Sequence, residues 1–377
     1  MFTDMRQGTA ADWAHIAAEH YRHQASAAPQ QIIEPSLVLD VPLIDLTHLA
    51  SEARDAAVET RIREVVGTPF KLGQCPLLRF VVLQLSSTEH VLVFVMHHIV
   101  GDEVSIQRFW SELSAFYAGE REGAPIAAAQ YVDYALEQER WLKGSITQAQ
   151  LAFWKERLAG SPPTHDLPTD YPRPSEASYR GAQRSLSLSR DVSRRLREVA
   201  AAQNVTPAML MLSAYAVLLS RYSAQEELVI GMPVSERIRA GHDDALGFFL
   251  NSVALRLRIA GDEPFTTFVK QVRDRILEAL DHQELPFDQI VSALNLGGEG
   301  SYHPLFQLMF AWRDKPTKPT LSGLEVEPIH FDRHAAQFDM VLFALDTGDG
   351  IDLEIEFSSD LYTPATIERL LLHLSNL

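Results

Sequence analysis

The chain contains 377 residues, of which 46% are hydrophobic and 22% are charged, so it is long enough to form two globular domains. Its 33 basic and 50 acidic residues give a net charge of −17, which argues against nucleic acid as a main partner. The single cysteine, Cys75, excludes an internal disulfide, and no apolar run has the length of a membrane span. We therefore expect a cytoplasmic protein with neither a nucleic-acid nor a membrane partner.

The first part of the chain predicts alternating helices and strands from its hydrophobic periodicity. Helices are predicted over 11–24, 50–66, 131–142 and 147–158, and strands within 32–46 and over 77–85 and 91–96. A short polar loop joins the last two strands, so they should pair antiparallel. The proline-rich stretch 161–175 then indicates a linker.

The second part of the chain repeats the same alternation. Strands are predicted over 182–188, 228–234, 251–259, 305–312, 340–345 and 351–357, and helices over 189–203, 208–222, 265–283 and 363–374. Hairpin-like loops argue against a purely parallel sheet, so the predicted fold class is α/β with mixed sheets. With the boundary in the proline-rich stretch, the predicted domains are residues 1–168 and 169–377.

The segment 91–117 concentrates the candidate site residues. An apolar strand ends at His97 and His98, a turn runs through Gly101, Asp102 and Glu103, and an amphipathic helix follows. Titratable groups at a strand end can form an active site, and a neutral imidazole suits proton transfer near neutral pH. The structural alternatives are that the histidines belong to the core, that Asp102 is an N-cap and that Glu103 complements the helix dipole. Adjacent histidines point to opposite sides of a strand, which disfavours a metal site.

This segment resembles the HHxxxDG signature of condensation domains of nonribosomal peptide synthetases, which are related to chloramphenicol acetyltransferase. Further segments resemble other motifs of that family in the same order: YVDYA at 131–135, IGMPV at 230–234 followed by Arg237, GFFLNS at 247–252, HQELPF at 282–287 and HPLFQ at 303–307. The resemblance extends to 337–339 and 359–362. This number of ordered motifs argues strongly against coincidence.

The resemblance implies two chloramphenicol-acetyltransferase-like lobes in a V-shaped pseudodimer, with the HHxxxDG loop at their junction. Phosphopantetheine arms of upstream and downstream peptidyl carrier proteins would deliver an acyl thioester donor and an aminoacyl acceptor, and the domain itself would bind no cofactor. An adenylation domain of the same synthetase is a further expected partner. The expected reaction is attack of the acceptor amine on the thioester, which forms a peptide bond.

The resemblance also implies roles for individual residues. His98, the second histidine, would act as a general base, or would orient the amine and stabilise developing charge. Asp102 would pair with an arginine to hold the loop, with Gly101 in support. His97 would face the scaffold.

Two departures from the family pattern bear on these roles. Glu103 stands where most members have glycine, and its bulk and charge could narrow the acceptor side, alter specificity or disable the site. The opening motifs are not recognisable before Pro69, so we expect an incomplete or divergent N-terminal lobe, or a piece of a larger synthetase. The arginine expected to hold Asp102 belongs to that missing region. Arg237 is the nearest motif-placed cation, and it lies either beside the Asp102 loop or on the solvated surface.

Three functions remain open from the sequence. The first is an amide-forming condensation domain, and the second is an ester-forming enzyme of the same fold, because nothing distinguishes an amine from an alcohol acceptor. The third is a catalytically silent module that recruits carrier or partner proteins. Glu103 and the missing opening motifs favour the silent module, whereas the retained His98 and Asp102 oppose it.

Overall fold

A computed structural model describes residues 19–22, 30–34, 36–119, 129–238, 242–243, 245–296, 302–315, 318–329 and 331–377. The chain divides into two compact units, each discontinuous in sequence. Unit 1 comprises Met1–Glu137, Arg237–Phe249 and Thr317–Arg333, and unit 2 comprises Gln138–Glu236, Leu250–Pro316 and His334–Leu377. These units do not coincide with the predicted domains 1–168 and 169–377.

The proline-rich stretch 161–175 packs into unit 2 and is not a linker. Leu167 is buried in the core of that unit. The Asp170 carboxylate accepts hydrogen bonds from the backbone N–H of Thr363 at 2.7 Å and the hydroxyl of Thr366 at 2.9 Å. Many prolines reduce the conformational freedom of a segment, but they do not prevent its side chains from packing.

Unit 1 begins with a short hairpin. Strand β1 (Glu19–Arg22) pairs antiparallel with β2 (Gln30–Ile33). The helix predicted over 11–24 is therefore wrong at 19–22, and the remainder of that range lies outside the described residues. Pairing with a partner strand overrides a local amphipathic pattern, because the strand's backbone hydrogen bonds are made to the neighbouring segment.

The rest of unit 1 contains a mixed sheet covered by helices. Strand β3 (Leu43–Asp45) is parallel to β4 (Leu78–Gln84), which is antiparallel to β5 (His90–Met96), as the short loop predicted. Helix α1 (Ser51–Gly67) contributes the buried Ile62 to one face of this sheet. Helix α2 (Glu103–Tyr117) packs on the other face, where Phe109 stacks on Phe94 with ring centroids 4.6 Å apart.

Unit 2 is built around a larger mixed sheet. Helix α3 (Tyr131–Leu142) begins in unit 1, to which its first turns belong. The elements of unit 2 that follow it are α4 (Ser145–Leu158), β6 (Gly181–Leu188), α5 (Arg190–Ala202), α6 (Pro207–Ser223), β7 (Glu227–Ser235), β8 (Leu250–Arg258), α7 (Phe265–Asp281), α8 (Phe287–Ala293), β9 (Leu308–Asp314), β10 (Met340–Asp346), β11 (Ile351–Ser358) and α9 (Pro364–Asn376). The strand order is β6-β11-β10-β9-β7-β8. Strand β9 is parallel to both β7 and β10, and the other pairs are antiparallel. The predicted α/β class with mixed sheets is confirmed.

Helix starts in unit 2 follow their local sequence signals. The Thr206 and Thr363 hydroxyls cap α6 and α9, and each helix has proline in its first turn. Helix α6 is buried around most of its circumference, as expected for a helix that is apolar on nearly all sides. No single helix in the described ranges is long and apolar enough to cross a membrane, although α5 and α6, bent by 103°, pass that length and composition test when taken together.

Candidate active site

The candidate site lies in unit 1, where β5 ends. His97 follows the strand directly, and residues His98–Val100 form a single turn of 3₁₀ helix. Gly101 is buried, and a methyl group added to it would lie 2.4 Å from Met96 Cε, so any larger residue would force that side chain to move. The loop is therefore anchored to the strand immediately before it.

The His98 imidazole is oriented by its own loop. Its Nδ1 atom lies 2.8 Å from the carbonyl oxygen of Gly101. A carbonyl can only accept a hydrogen bond, so Nδ1 carries the hydrogen and Nε2 of the neutral ring keeps its lone pair. The Phe248 ring meets the imidazole edge-on, with centroids 5.0 Å apart and an interplanar angle of 83°. His98 is exposed, and none of the described residues forms a hydrogen bond to its Nε2.

His97 is turned into the loop and holds the opposite tautomer. Its Nδ1 accepts a hydrogen bond from the backbone N–H of Ile99 at 3.1 Å. Its ring lies edge-on to Phe70, with centroids 6.0 Å apart. Burial lowers the pKa of His97, and the neighbouring His98 lowers it further, so His97 is neutral at pH 7. These contacts give His97 a structural role in the loop.

The Asp102 carboxylate is paired with Arg237. Arg237 donates from Nη2 to Asp102 Oδ1 at 2.6 Å and from Nε to Oδ2 at 3.2 Å. Both side chains are buried, with 1% of Asp102 and 5% of Arg237 exposed. Of the two positions open to Arg237, the structure shows the one beside the Asp102 loop, and the surface alternative is wrong.

Asp102 is also the N-cap of α2, so both interpretations of this residue apply. Its Oδ1 accepts the backbone N–H of Ser105 at 3.0 Å, and its Oδ2 accepts that of Phe249 at 3.2 Å. Each carboxylate oxygen therefore has a backbone donor as well as a guanidinium donor. Such a carboxylate is suited to holding a loop and poorly suited to moving a proton.

Ser105 is a site residue that the sequence analysis missed. Its hydroxyl lies 3.0 Å from Asp102 Oδ1 and 2.9 Å from Arg237 Nη2, and it accepts the backbone N–H of Gly247 at 3.1 Å. The buried Ser105 thus joins the turn, the arginine and the segment Arg237–Phe249. Its place three residues after an N-cap aspartate, where capping boxes carry a polar side chain, is the signal that could have identified it.

The remaining donors of Arg237 fix the segment that follows it. Nη1 donates to the carbonyls of Ala245 and, at 3.5 Å, of His242. The guanidinium lies over the Phe249 ring, 4.3 Å from its centroid. Gly247 has φ +154, and a methyl group there would lie 2.4 Å from the Tyr131 ring, so glycine is required at this position.

Glu103 is the first residue of α2 and is exposed, and it forms no hydrogen bond or ion pair within the described part of the chain. The acidic side chain in the first turn has the position that complements the helix dipole. Among the described residues, no group of three or more His, Cys, Asp or Glu side chains could hold a metal ion.

The later motif segments serve packing in unit 2. Phe306 and Phe310 are buried in its core, and a methyl group on Gly231 would meet the Phe306 ring at 2.2 Å. The Asn251 amide donates to the carbonyls of Gln283 and Leu285 at 2.6 and 2.8 Å, which ties β8 to the HQELPF segment. These contacts support a structural interpretation of the IGMPV, HQELPF and HPLFQ motifs.

A sequence profile described as "Condensation domain" matches residues 20–377. The chain belongs to this family. The strand, the two histidines, the buried Asp102–Arg237 pair and the mixed sheets described above therefore belong to a condensation domain.

Curated relatives of this condensation domain are much longer proteins. One of the proteins that make up linear gramicidin synthase of Brevibacillus parabrevis is 36% identical over 354 residues, which are 92% of this chain and 5% of that protein. Surfactin synthase subunit 1 of Bacillus subtilis (strain 168) is 34% identical over 354 residues, or 93% of this chain and 10% of that protein. The chain thus spans a small part of the relatives that it matches.

Solved structures share the fold of this condensation domain. The four-domain nonribosomal peptide synthetase holo-AB3403, bound to AMP and glycine, matches with a TM-score of 0.87 and 25% identity, over 99% of this chain and 29% of that one. The X-domain from teicoplanin biosynthesis matches with a TM-score of 0.85 and 26% identity, over 97% of this chain and 83% of that one. The same X-domain has been solved in complex with OxyB.

Proposed function

We propose that this condensation domain forms an amide bond between a carrier-bound acyl or peptidyl thioester and a carrier-bound aminoacyl acceptor. The observation that carries the proposal is the orientation of His98, whose Nδ1–H is donated to Gly101 and whose Nε2 is left with its lone pair on an exposed ring. An imidazole held in one tautomer by a second hydrogen bond is suited to accept a proton from, or to orient, an incoming amine.

The proposed reaction proceeds by direct acyl transfer. The acceptor amine attacks the thioester carbonyl carbon, the C–N bond forms, and the C–S bond breaks. The amine proton is accepted by His98 Nε2 and passes to the leaving thiolate, so the imidazole is neutral again at the end. Because a thioester is already activated, holding the two reactants in position supplies much of the acceleration.

The other residues of the site act by holding His98 in place. Asp102 does not exchange protons in this scheme, because Arg237 and two backbone N–H groups occupy both of its oxygens. His97 stays neutral and keeps its hydrogen bond to Ile99. Gly101 provides the carbonyl that fixes the His98 tautomer.

The proposed partners follow from the family. The synthetase names of the relatives support upstream and downstream peptidyl carrier domains and an adenylation domain as partners in a longer protein. We propose that phosphopantetheine arms of the carriers deliver both substrates, and that the domain requires no cofactor of its own.

The test is a reconstitution of the chain with separately loaded donor and acceptor carrier proteins, followed by mass spectrometry of the product on the acceptor carrier. His98→Ala should lower the rate of product formation by about 10²-fold or more, the usual contribution of a positioned acid–base group. The matched control is His90→Ala, which removes an exposed histidine at the start of the same strand and should leave the rate unchanged. An unchanged rate in a folded His98→Ala protein would remove His98 from the mechanism.

A second candidate function is a silent recruiting module. The exposed Glu103 beside the loop and the likeness to an X-domain solved in complex with OxyB favour it. In that case the wild-type chain yields no product with any loaded pair of carriers, whereas an ester-forming enzyme yields product only with a hydroxyacyl acceptor. The same assay with aminoacyl and hydroxyacyl acceptors therefore separates all three functions.

A further inference from the structure

The buried His242 contacts Arg237 through its backbone carbonyl, and it has no part in the proposed reaction. His242 is 3% exposed and belongs to the segment that leads to Gly247. Its Nε2 is 3.3 Å from Oε2 of Glu137, which lies on α3 and has a side chain 54% exposed. This contact joins two segments of unit 1 that are far apart in sequence.

The backbone of His242 is tied directly to the arginine. Its carbonyl accepts the N–H of Ala245 at 3.1 Å, so the two residues are tied together. The carbonyls of His242 and Ala245 both accept hydrogen bonds from Nη1 of Arg237. A shift of His242 therefore moves the acceptors that orient the guanidinium, and with the guanidinium the Asp102 loop.

The surroundings of the His242 ring are aromatic. Tyr134 meets it edge-on with centroids 5.8 Å apart, and Phe249, which carries the Arg237 guanidinium on its face, lies 6.0 Å away. The buried Nδ1 of His242 has no hydrogen-bond partner among the described residues. An unpaired polar atom in such a setting costs stability, and an apolar side chain of similar size would avoid that cost. The Glu137 contact is what distinguishes histidine from an apolar residue here.

We propose that the Glu137–His242 pair positions Arg237 and thereby sets the geometry of the His98 loop. Both are positioning residues, since neither touches the reacting atoms. The effect on turnover rests on the proposed condensation activity, whereas the effect on the loop does not.

The kinetic test compares substitutions that remove or retain the contact. His242→Leu and Glu137→Leu should each lower kcat by about 5- to 10-fold with little change in KM, because a displaced catalytic group slows chemistry more than it weakens binding. His242→Gln, whose amide can still donate to Glu137, should restore most of kcat. The double variant should be no slower than either single one, because both remove the same contact. Glu139→Leu, an exposed acid on the same helix, is the control and should leave kcat unchanged.

A second measurement reports the loop without any substrate. The backbone amides of Gly247 and Phe249 donate to Ser105 Oγ and Asp102 Oδ2, respectively. Their rates of hydrogen exchange therefore report whether the hydrogen bonds around Arg237 are intact. Peptides covering 98–110 and 242–253 should exchange several-fold faster in Glu137→Leu than in the wild type. Because Glu137 is more than half exposed, this variant should fold even if a change at His242 prevents folding.

The outcomes separate the two proposals. Unchanged exchange together with unchanged kcat in Glu137→Leu overturns the positioning role. Equal losses of kcat in His242→Gln and His242→Leu, accompanied by equal losses of thermal stability, also overturn it, because they indicate packing alone. If exchange responds as expected but the wild type forms no product, the positioning role stands and the proposed condensation activity fails.

Discussion

Each unit contains a buried aspartate that pairs with an arginine, and the two pairs are connected to a histidine in different ways. In unit 1 the buried Asp102 pairs with Arg237, and the loop they hold carries His98. In unit 2 the buried Asp339 pairs with Arg173 and accepts a hydrogen bond from Nε2 of His165 at 2.9 Å. Each unit thus has a buried aspartate paired with an arginine, and a histidine lies either on the loop that the pair holds or within the hydrogen-bond network itself, so the residue types alone do not mark the active site.

The two histidines, His98 and His165, differ in how many of their ring nitrogens form hydrogen bonds among the described residues. His165 accepts the backbone N–H of Leu167 at Nδ1 and donates from Nε2 to Asp339, so both of its ring nitrogens are used. Only Nδ1 of His98 is engaged within the described part of the chain, and its ring is exposed. The unit 2 network therefore holds the proline-rich stretch to Asp339, the residue before β10, whereas the unit 1 network holds a loop on which a ring nitrogen is placed to bind a substrate.

The largest effect of a substitution in either network is expected at Asp102. Asp102→Asn should lower condensation by about 10²-fold or more and the free energy of unfolding by about 3–5 kcal/mol, because it leaves Arg237 buried without its countercharge. Chemical denaturation and the carrier-loaded assay measure the two quantities on the same preparation. A variant as stable as the parent yet inactive would show that Asp102 has a direct chemical role, contrary to the assignment made here.

Much of this site follows from local sequence, and the remainder does not. The strand, the turn and α2 are predictable because a short apolar run and a helical period lie on either side of two polar clusters. His98 and Asp102 were identified from that pattern and the family signature. Phe248 and the Glu137–His242 contact were missed, because the residues in contact lie about 150 and 105 positions apart in the chain and leave no local signal. Ser105 was missed although its position three residues after the N-cap Asp102 is a local signal.

The fold shows the same limit. Most helices and strands lie within a few residues of their predicted positions. Residues 19–22 were assigned to a helix although they pair with β2, and the proline-rich stretch was assigned to a linker although Leu167 is buried. Both errors concern segments whose conformation is set by a contact and not by the local pattern: β1 pairs with the neighbouring strand, whereas the proline-rich stretch contacts residues 174 and 193 positions away.

The matched change in unit 2 should affect stability alone. Asp339→Asn should lower the free energy of unfolding by about 3 kcal/mol, because Arg173 and His165 lose a buried acceptor of full charge. The kcat of the folded fraction should remain within about twofold of the parent, since no group that touches substrate depends on this network. A drop in kcat comparable to that of Asp102→Asn would mean that the two networks are functionally coupled.

The same aspartate predicts a dependence on pH. Burial alone would raise the pKa of Asp339, but the hydrogen bonds from His165 and Arg173 outweigh it and hold the pKa below its usual value of 3.8. The stabilisation it contributes is therefore fully present above pH 3.8 and is lost as the pH falls through the lower, folded-state pKa. Unfolding of the wild type and of Asp339→Asn, followed by denaturant between about pH 2 and 7, should give free energies that converge at the acid end. A difference that persists unchanged to the lowest pH would contradict this assignment.

The smallest expected effect concerns an aromatic ring in contact with a histidine, of which we compare one example from each unit. Phe248 meets His98 edge-on in unit 1, and Phe153 stacks on His282 in unit 2 with centroids 3.6 Å apart. Aromatic pairs of this kind contribute roughly 0.5–1.5 kcal/mol, so Phe248→Leu should lower kcat by up to about tenfold through a less well fixed imidazole. Phe248→Tyr keeps the aromatic ring and should retain most of the activity.

The control for this prediction is Phe153→Leu, which removes a closer ring contact from a histidine outside the candidate site and should leave kcat unchanged while lowering the melting temperature. If the Phe248 ring orients His98, Phe248→Leu should lower mainly kcat, and Phe153→Leu should lower mainly the melting temperature. Equal effects on kcat from both variants would mean that ring contacts act through global stability, and Phe248 would then have no particular part in positioning the imidazole. If Phe248 serves only to position His98, the pH dependence of kcat in Phe248→Tyr should match that of the parent, because the chemistry of the imidazole is unchanged.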